Sequence, residues 1–348
     1  MLSNVTNGFA SSRRMLLTWG LATLSLSSLV ASKHNHTTNL IIDTDIFSDV
    51  DDAGALLLAS TLKNVNLLGV NVNYPSSYSA LAASAILSHY GHAHVPIGIV
   101  RPITDESFFD TFAYKLGEYA SKVAYHWSSN ATLPWGNANT TWEPVELYRK
   151  ILSEQRNGSV TIASIGFFEN LSGLLNSTAD QYSPLSGPEL IAAKVSELVV
   201  MGGQYPSGRE YNFFGDNPAH TAHVVNNWKG RVTFSGGELG GYVMSGASLT
   251  VDGPENDPVK AGYQWYIGYN NSRESWDPLT VLYACQGLGD LFEYANSFGR
   301  NHVFANGSNA WVFDEADKDQ RWLRLKVDNV TAGQALDGYF LDGATAYA

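Results

Sequence analysis

Residues 39–58 read NLIIDTDIFSDVDDAGALLL, and the fold follows from how this stretch divides. Leu40, Ile41 and Ile42 form a short unbroken apolar run, the pattern of a strand buried on both faces. Ala53–Leu62 is rich in alanine and leucine and long enough for a helix of three turns. Between strand and helix lie Asp43, Asp45, Asp49, Asp51 and Asp52, five carboxylates within ten positions. A strand that runs through a polar loop into a helix opens an α/β sheet, and such sheets bind ligands outside the carboxyl ends of their strands. The acids therefore fall where a ligand is expected.

Working outward, the same rhythm repeats. Val65–Asn73 reads as a second strand, Ser76–Tyr90 as a helix and Val95–Val100 as a third short strand. Glu143–Gln155 is a helix, Ser159–Ser164 a strand, and Glu197–Gly203 a strand that ends in paired glycines. Alternation of this kind predicts an α/β fold with a mainly parallel central sheet flanked by helices. After Asn301 further strands and a terminal helix are expected. Residues 105–142 break the rhythm with Phe108, Phe109, Phe112, Tyr114, Tyr119, Tyr125, Trp127, Trp135 and Trp142 among small polar residues. This aromatic-rich excursion is expected over the ligand edge of the sheet, where its rings either stack on a flat ligand or pack the excursion onto the core.

Like charges a few ångströms apart oppose joint ionisation, so five clustered acids call for protons or a cation. Calcium accepts six to eight oxygen ligands in irregular geometry, whereas magnesium demands a tighter octahedron. The alternative is a solvated turn in which Asp51 or Asp52 caps the helix, a task that needs one or two acids rather than five. An EF-hand loop is excluded, because its glycine and final glutamate are absent at the required spacing.

Composition narrows the partners. A chain of 348 residues can bury a large core, and a formal charge of −12 with a pI near 5.1 excludes nucleic-acid polymers and anionic membrane surfaces. Residues 1–32 stand apart: Arg13 and Arg14 precede MLLTWGLATLSLSSLVAS, which has the length of a secretory h-region and ends in small residues near Ala31. A cleaved signal peptide is expected, followed by a single domain over 33–348, with no membrane attachment after cleavage. Ten N-x-S/T sequons begin at Asn4, Asn35, Asn130, Asn139, Asn157, Asn170, Asn176, Asn270, Asn306 and Asn329, a density that suits a secreted glycoprotein. Asn170 is expected to stay unmodified, since a glycan there would obstruct the crevice. Cys285 is the one cysteine, expected to be buried and structural, so no disulfide within the chain staples the fold. His220 and His223 have the i, i+3 spacing of a zinc pair, but no third ligand is evident.

DTDIFSDVDDAGALLLA resembles the amino-terminal signature of the inosine-uridine-preferring nucleoside hydrolase superfamily, in its longer DTD-x-G-x-D-x-DD form. Three later segments follow in the family's order: IGFFENLSGLL, MGG with the loop QYPSGREYNFFGDNPAH, and SWDPLTVLYAC. The resemblance implies a Rossmann-like nucleoside hydrolase fold, commonly a homodimer or homotetramer, and a bound Ca²⁺. It implies that Asp45, Asp52, Asp277 and the backbone carbonyl of Ile165 hold the metal and that Asp45 is the general base. Asp51, Asn73, Glu210 and Asn212 are implied contacts of the ribose; Asn73 also reads as a turn residue before Tyr74-Pro75. Asp43 is expected to orient Asp45, Asp49 has no assigned role, and Glu238 either faces the sugar or supports its loop.

Two departures stand out. Phe47 occupies the position of the signature's glycine, and a positive φ there would strain it. Trp276 replaces the histidine that some members use to protonate the leaving base; its indole could stack on that base instead. The implied activity is calcium-dependent hydrolysis of ribonucleosides to ribose and a free nucleobase. Two alternatives are a secreted calcium-dependent nucleoside- or sugar-binding protein without turnover and a phosphatase of the haloacid dehalogenase type. The latter needs a later lysine and a more distant acidic pair.

Overall fold

A computed structural model describes residues 37–107, 117–133 and 136–348. The leader expected at 1–32 lies outside the described residues, as do Phe108, Phe109, Phe112, Tyr114 and Trp135 of the excursion. Eight strands build the central sheet: β1 (Thr38–Thr44), β2 (Val65–Val72), β3 (Ile97–Ile99), β4 (Val160–Ile165), β5 (Val195–Met201), β6 (Val232–Ser235), β7 (Phe292–Tyr294) and β8 (Gln320–Leu325). Their spatial order is β7-β8-β6-β5-β4-β1-β2-β3. Every pairing is parallel except that of the edge strand β7 with β8. The sheet is mainly parallel, as the alternation predicts.

The apolar run of β1 explains why this strand lies inside the sheet. Period-two alternation sends Leu40 and Ile42 into one hydrophobic cluster and Ile41 into the other, on the opposite face. The helix Asp51–Thr61 packs on the first of these faces and is buried almost all round, which is why its sequence shows no polar stripe. Gly54 on this helix is fixed by close approach: a Cβ there would stand 2.8 Å from the Phe340 ring and closer still to the Tyr263 hydroxyl. Helix Trp276–Gln286 lies against helix Asp51–Thr61 on the same face. That contact brings a segment from late in the chain to the first acidic loop.

In the described part of the excursion, helix Ala120–His126 packs on helices Ser77–His89 and Pro258–Ile267. Its flanking rings serve as anchors. The Tyr119 hydroxyl donates to the Asp49 carbonyl at 2.6 Å, and the Trp127 indole donates to the Asn256 carbonyl at 3.2 Å. Tyr125 alone among these three is exposed.

Candidate active site and metal centre

The carboxyl ends of β1, β2, β4 and β5 meet at one edge, and registration of β1 determines what faces what. Thr44 pairs with Val72 on β2 and with Ile165 on β4. Its hydroxyl donates to Asp52 Oδ1 in a short hydrogen bond, so the strand end is tied to the first turn of the helix. The Ile165 carbonyl group thus belongs to the residue directly beside the one that holds Asp52. Asp45 follows on the loop, pressed against Gly166. A Cβ on Gly166 would stand 2.5 Å from the Asp45 backbone nitrogen and 2.8 Å from its Oδ1, so only glycine lets the loop after β4 come this close.

Three carboxylates from two distant segments converge here. Asp51, Asp52 and Asp277 each place an oxygen within 4.8 Å of the other two, and all three are buried. Asp277 lies in the first turn of helix Trp276–Gln286, and its backbone N–H donates to Asp51 Oδ2 at 3.1 Å. Burial pushes the three carboxyls well above the usual carboxylate range, and neighbouring acids raise them further: Asp49 and Asp45 for Asp51, Asp45 and Asp51 for Asp52, Asp51 and Asp52 for Asp277. Asp45 is pushed up to about 7 by burial and by the charges of Asp49 and Asp43. The set is all oxygen, buried and short of positive charge, which fits a hard divalent cation. Asp51, implied by resemblance to touch the sugar, stands inside the trio; Asp45 is coupled to the trio by charge, being the largest charge effect on Asp52.

Asp43 is in a different situation although it lies two residues away. Alternation turns it to the face of β1 opposite Thr44, where Tyr148 Oη donates to Oδ2 at 2.6 Å, and Asn73 and Asn170 donate to Oδ1 at 2.5 and 3.2 Å. Burial still pushes it up to about 7 against these donors. Asn73 has both amide hydrogens committed, one to Asp43 and the other to the Phe167 carbonyl at 3.0 Å, and its oxygen accepts from Phe167 N–H. Its partners are thus protein groups that fix the loop after β4. Asn170 is 3% exposed and spends its amide nitrogen on Asp43, so the atom that would carry a glycan is occupied.

Glu210 caps the short helix Tyr211–Phe214: Oε1 accepts from Asn212 N–H at 2.9 Å and Oε2 from Gly203 N–H at 3.1 Å. Burial pushes it up to about 7, and the Asp45 charge contributes, which marks the two as neighbours. Asn212 is buried beside it and donates to Met201. Glu238 accepts from Tyr205 N–H at 3.2 Å, the loop-supporting half of its two readings. Trp276 is half-buried, with its indole N–H donated to the Gly237 carbonyl at 2.8 Å and the Arg273 guanidinium 5.2 Å from its ring centre. Phe47 carries no positive φ and no strain of the kind its glycine-like position suggested; it is buried and stacked on Tyr74 at 4.2 Å.

Sequence reasoning missed Arg273. This buried arginine grips Asp49 with Nε at 2.9 Å and a second, shorter contact from Nη2, and so gives Asp49 the role of holding the acidic loop. It also lowers Asp51, opposing the acids around it. The only signal was a lone base four residues before Asp277. His220 also proves to have acidic neighbours, Glu169 and Asp216, that nothing in the linear spacing announced.

The sequence profile of the inosine-uridine preferring nucleoside hydrolase family matches residues 40–336, and the chain belongs to that family. Similar solved structures include an inosine-guanosine nucleoside hydrolase (18% identity, covering 88% of this chain and 99% of that one, TM-score 0.64). A purine-preferring ribonucleoside hydrolase from Gardnerella vaginalis (15%, 89% and 99%, TM-score 0.63) and an inosine-uridine preferring enzyme from Bacillus anthracis (17%, 88% and 99%, TM-score 0.60) share the fold. No curated protein matches the chain in sequence. The protein is thus an enzyme acting on N-glycosyl compounds, with a small nucleoside as substrate, and it stands apart from phosphatases of the haloacid dehalogenase type.

Proposed function

We propose that the enzyme hydrolyses ribonucleosides to ribose and a free nucleobase with calcium as its resident ion. The observation that carries this reading is the convergence of Asp51, Asp52 and Asp277 within 4.8 Å, buried and facing one another's charge. Asp45, Asp52, Asp277 and the Ile165 carbonyl would hold the ion, with Asp51 close enough to share it or to turn to the sugar. When bound, calcium supplies a Lewis acid that orients ribose hydroxyls and eases loss of a proton from water.

The chain's own groups do the rest. Asp45 accepts the proton of the attacking water as general base. Glu210, held by Gly203 and Asn212, accepts from ribose hydroxyls, and Asn212 adds an amide beside it. The surrounding carboxylates favour positive charge on the sugar ring as the bond to the base breaks. Trp276, fixed through its indole N–H, offers the base a ring to stack on in place of an acid. Asn73 and Asp43 position the loops rather than touch the sugar, a reading supported by their protein partners.

The deciding experiment is hydrolysis of a nucleoside panel, read by release of reducing sugar, with and without a calcium chelator. Turnover that survives complete chelation removes the ion from the mechanism. The protein is further read as secreted and glycosylated. Among the described residues, the sequon asparagines 130, 139, 157, 176, 270, 306 and 329 are all exposed, and Asn170 alone is buried. Mass spectrometry of the secreted protein tests this: glycans on the exposed set and none on Asn170 is the expected pattern, with a new N-terminus near Ala31.

A further inference from the structure

Glu169, Asp216 and His220 form a second cluster of candidate ligands, outside the acidic trio. Glu169 opens the helix Glu169–Asn176, just after the loop that follows β4; Asp216 lies immediately before the helix Pro218–Asn227, whose first turn carries His220. One donor atom of each residue lies within 4.8 Å of the other two. Glu169 and His220 are half-buried and Asp216 is exposed. Glu169 Oε2 and His220 Nδ1 are shielded from solvent and have no hydrogen-bond partner, a state that is costly when nothing fills it.

The neighbouring His223 is accounted for by protein, since its Nδ1 lies 2.9 Å from the Ser172 hydroxyl. His220 is not. Burial and the Asp216 charge push the Glu169 carboxyl up to about 8, so the pair resists carrying two negative charges at neutral pH unless a cation joins it. The cluster borders the active site: the Asp216 charge reaches Tyr74 and Tyr211, the same two rings that the Asp45 charge reaches.

We propose that Glu169, Asp216 and His220 bind a second divalent cation, of the zinc class, at a site separate from Asp51, Asp52 and Asp277. An imidazole with two carboxylates suits zinc and its borderline congeners, whereas calcium selects oxygen alone. Three protein ligands leave a coordination position for an outside ligand. The two sites therefore divide by ligand chemistry, the buried one all oxygen and this one mixed.

The site stands independently of the nucleoside reading, because its test reads metal rather than turnover. The full chain, saturated with calcium to occupy the acidic trio, is equilibrated with zinc and then freed of unbound metal, and its metal content is measured. Wild type retains one zinc per chain beyond calcium. His220→Ala and Asp216→Asn lose it; Asp216 is exposed, so that substitution leaves the fold intact. Asp277→Asn and His223→Ala keep it. With cobalt in place of zinc, the visible ligand-field absorption of wild type disappears in the same two variants. The proposal fails if calcium-saturated wild type retains no zinc. It fails equally if zinc survives His220→Ala and Asp216→Asn but is lost in Asp277→Asn, which would put the zinc in the acidic trio.

Discussion

Two buried carboxylate sites in this enzyme are finished in opposite ways. Asp257, fully buried at the start of helix Pro258–Ile267, accepts from Val259 N–H at 2.9 Å, Lys260 N–H at 2.8 Å and the Tyr90 hydroxyl at 2.7 Å. Asp51, Asp52 and Asp277 are as deeply placed, but what surrounds them most closely is each other. A buried acid costs several kcal/mol unless its charge is met by donors or a counter-ion. At Asp257 the protein supplies the donors and the residue is a helix cap. At the trio the donors from Thr44 to Asp52 and from Asp277 N–H to Asp51 leave three buried carboxylates in excess of positive charge, and the balance is left to something that binds.

The sharpest break in this comparison is kinetic. Asp45→Asn lowers kcat by about 10²–10⁴-fold, the usual worth of a general base, while Asp257→Asn leaves kcat unchanged. Steady-state rates on one good nucleoside settle it, and comparable losses in the two variants would erase the functional distinction between the sites. Next in size is the response to calcium. At about a thousand times its dissociation constant a ligand stabilises by about 4 kcal/mol, so calcium should raise the melting temperature of wild type and of Asp257→Ala, and not that of Asp277→Asn.

Acidity sharpens the same contrast. Asp43, Asp45 and Glu210 have folded-state values near 7, above those of the unfolded chain, so the metal-free fold holds protons that the unfolded chain gives up. Their contribution is intact below about pH 4 and is lost as pH rises through 7. In chelator, denaturant midpoints should therefore fall between pH 5 and 8, and calcium should flatten that slope. A midpoint that rises over this interval in chelator would contradict the burial of these groups. The smallest effect is expected from Tyr90→Phe, which removes one donor from Asp257 at a cost of about 1–2 kcal/mol, with or without calcium.

The sheet was legible because its strands are unbroken apolar runs, as in Leu40–Ile42 and the segment 198–200, and such runs have few other homes in an α/β pattern. Convergence of Asp277 with the first loop was legible through the family's order of motifs and not through spacing, which the 224 residues between Asp52 and Asp277 make meaningless. Partners contributed by other elements were not legible. Nothing local ties Asp49 to Arg273, Asp43 to Tyr148 or His220 to Glu169, because those contacts are set by how helices stack on the sheet. Phe47 shows the converse error. A signature that carries glycine suggested a backbone only glycine tolerates, yet the loop runs at negative φ and the ring is used for packing on Tyr74.

Helix Trp276–Gln286 bears Asp277 at one end and Cys285 near the other; the cysteine is half-buried rather than buried as expected, because it sits in the last turn at the rim of the core, and desolvation still pushes its thiol up to about 12. A thiol so disinclined to ionise reacts slowly with alkylating reagents, and faster when the helix lifts from the sheet. The rate at which a single chemical label enters this chain should thus report how tightly the helix is clamped, giving a clock for occupancy of the pocket at the far end of the same rod but needing no substrate at all.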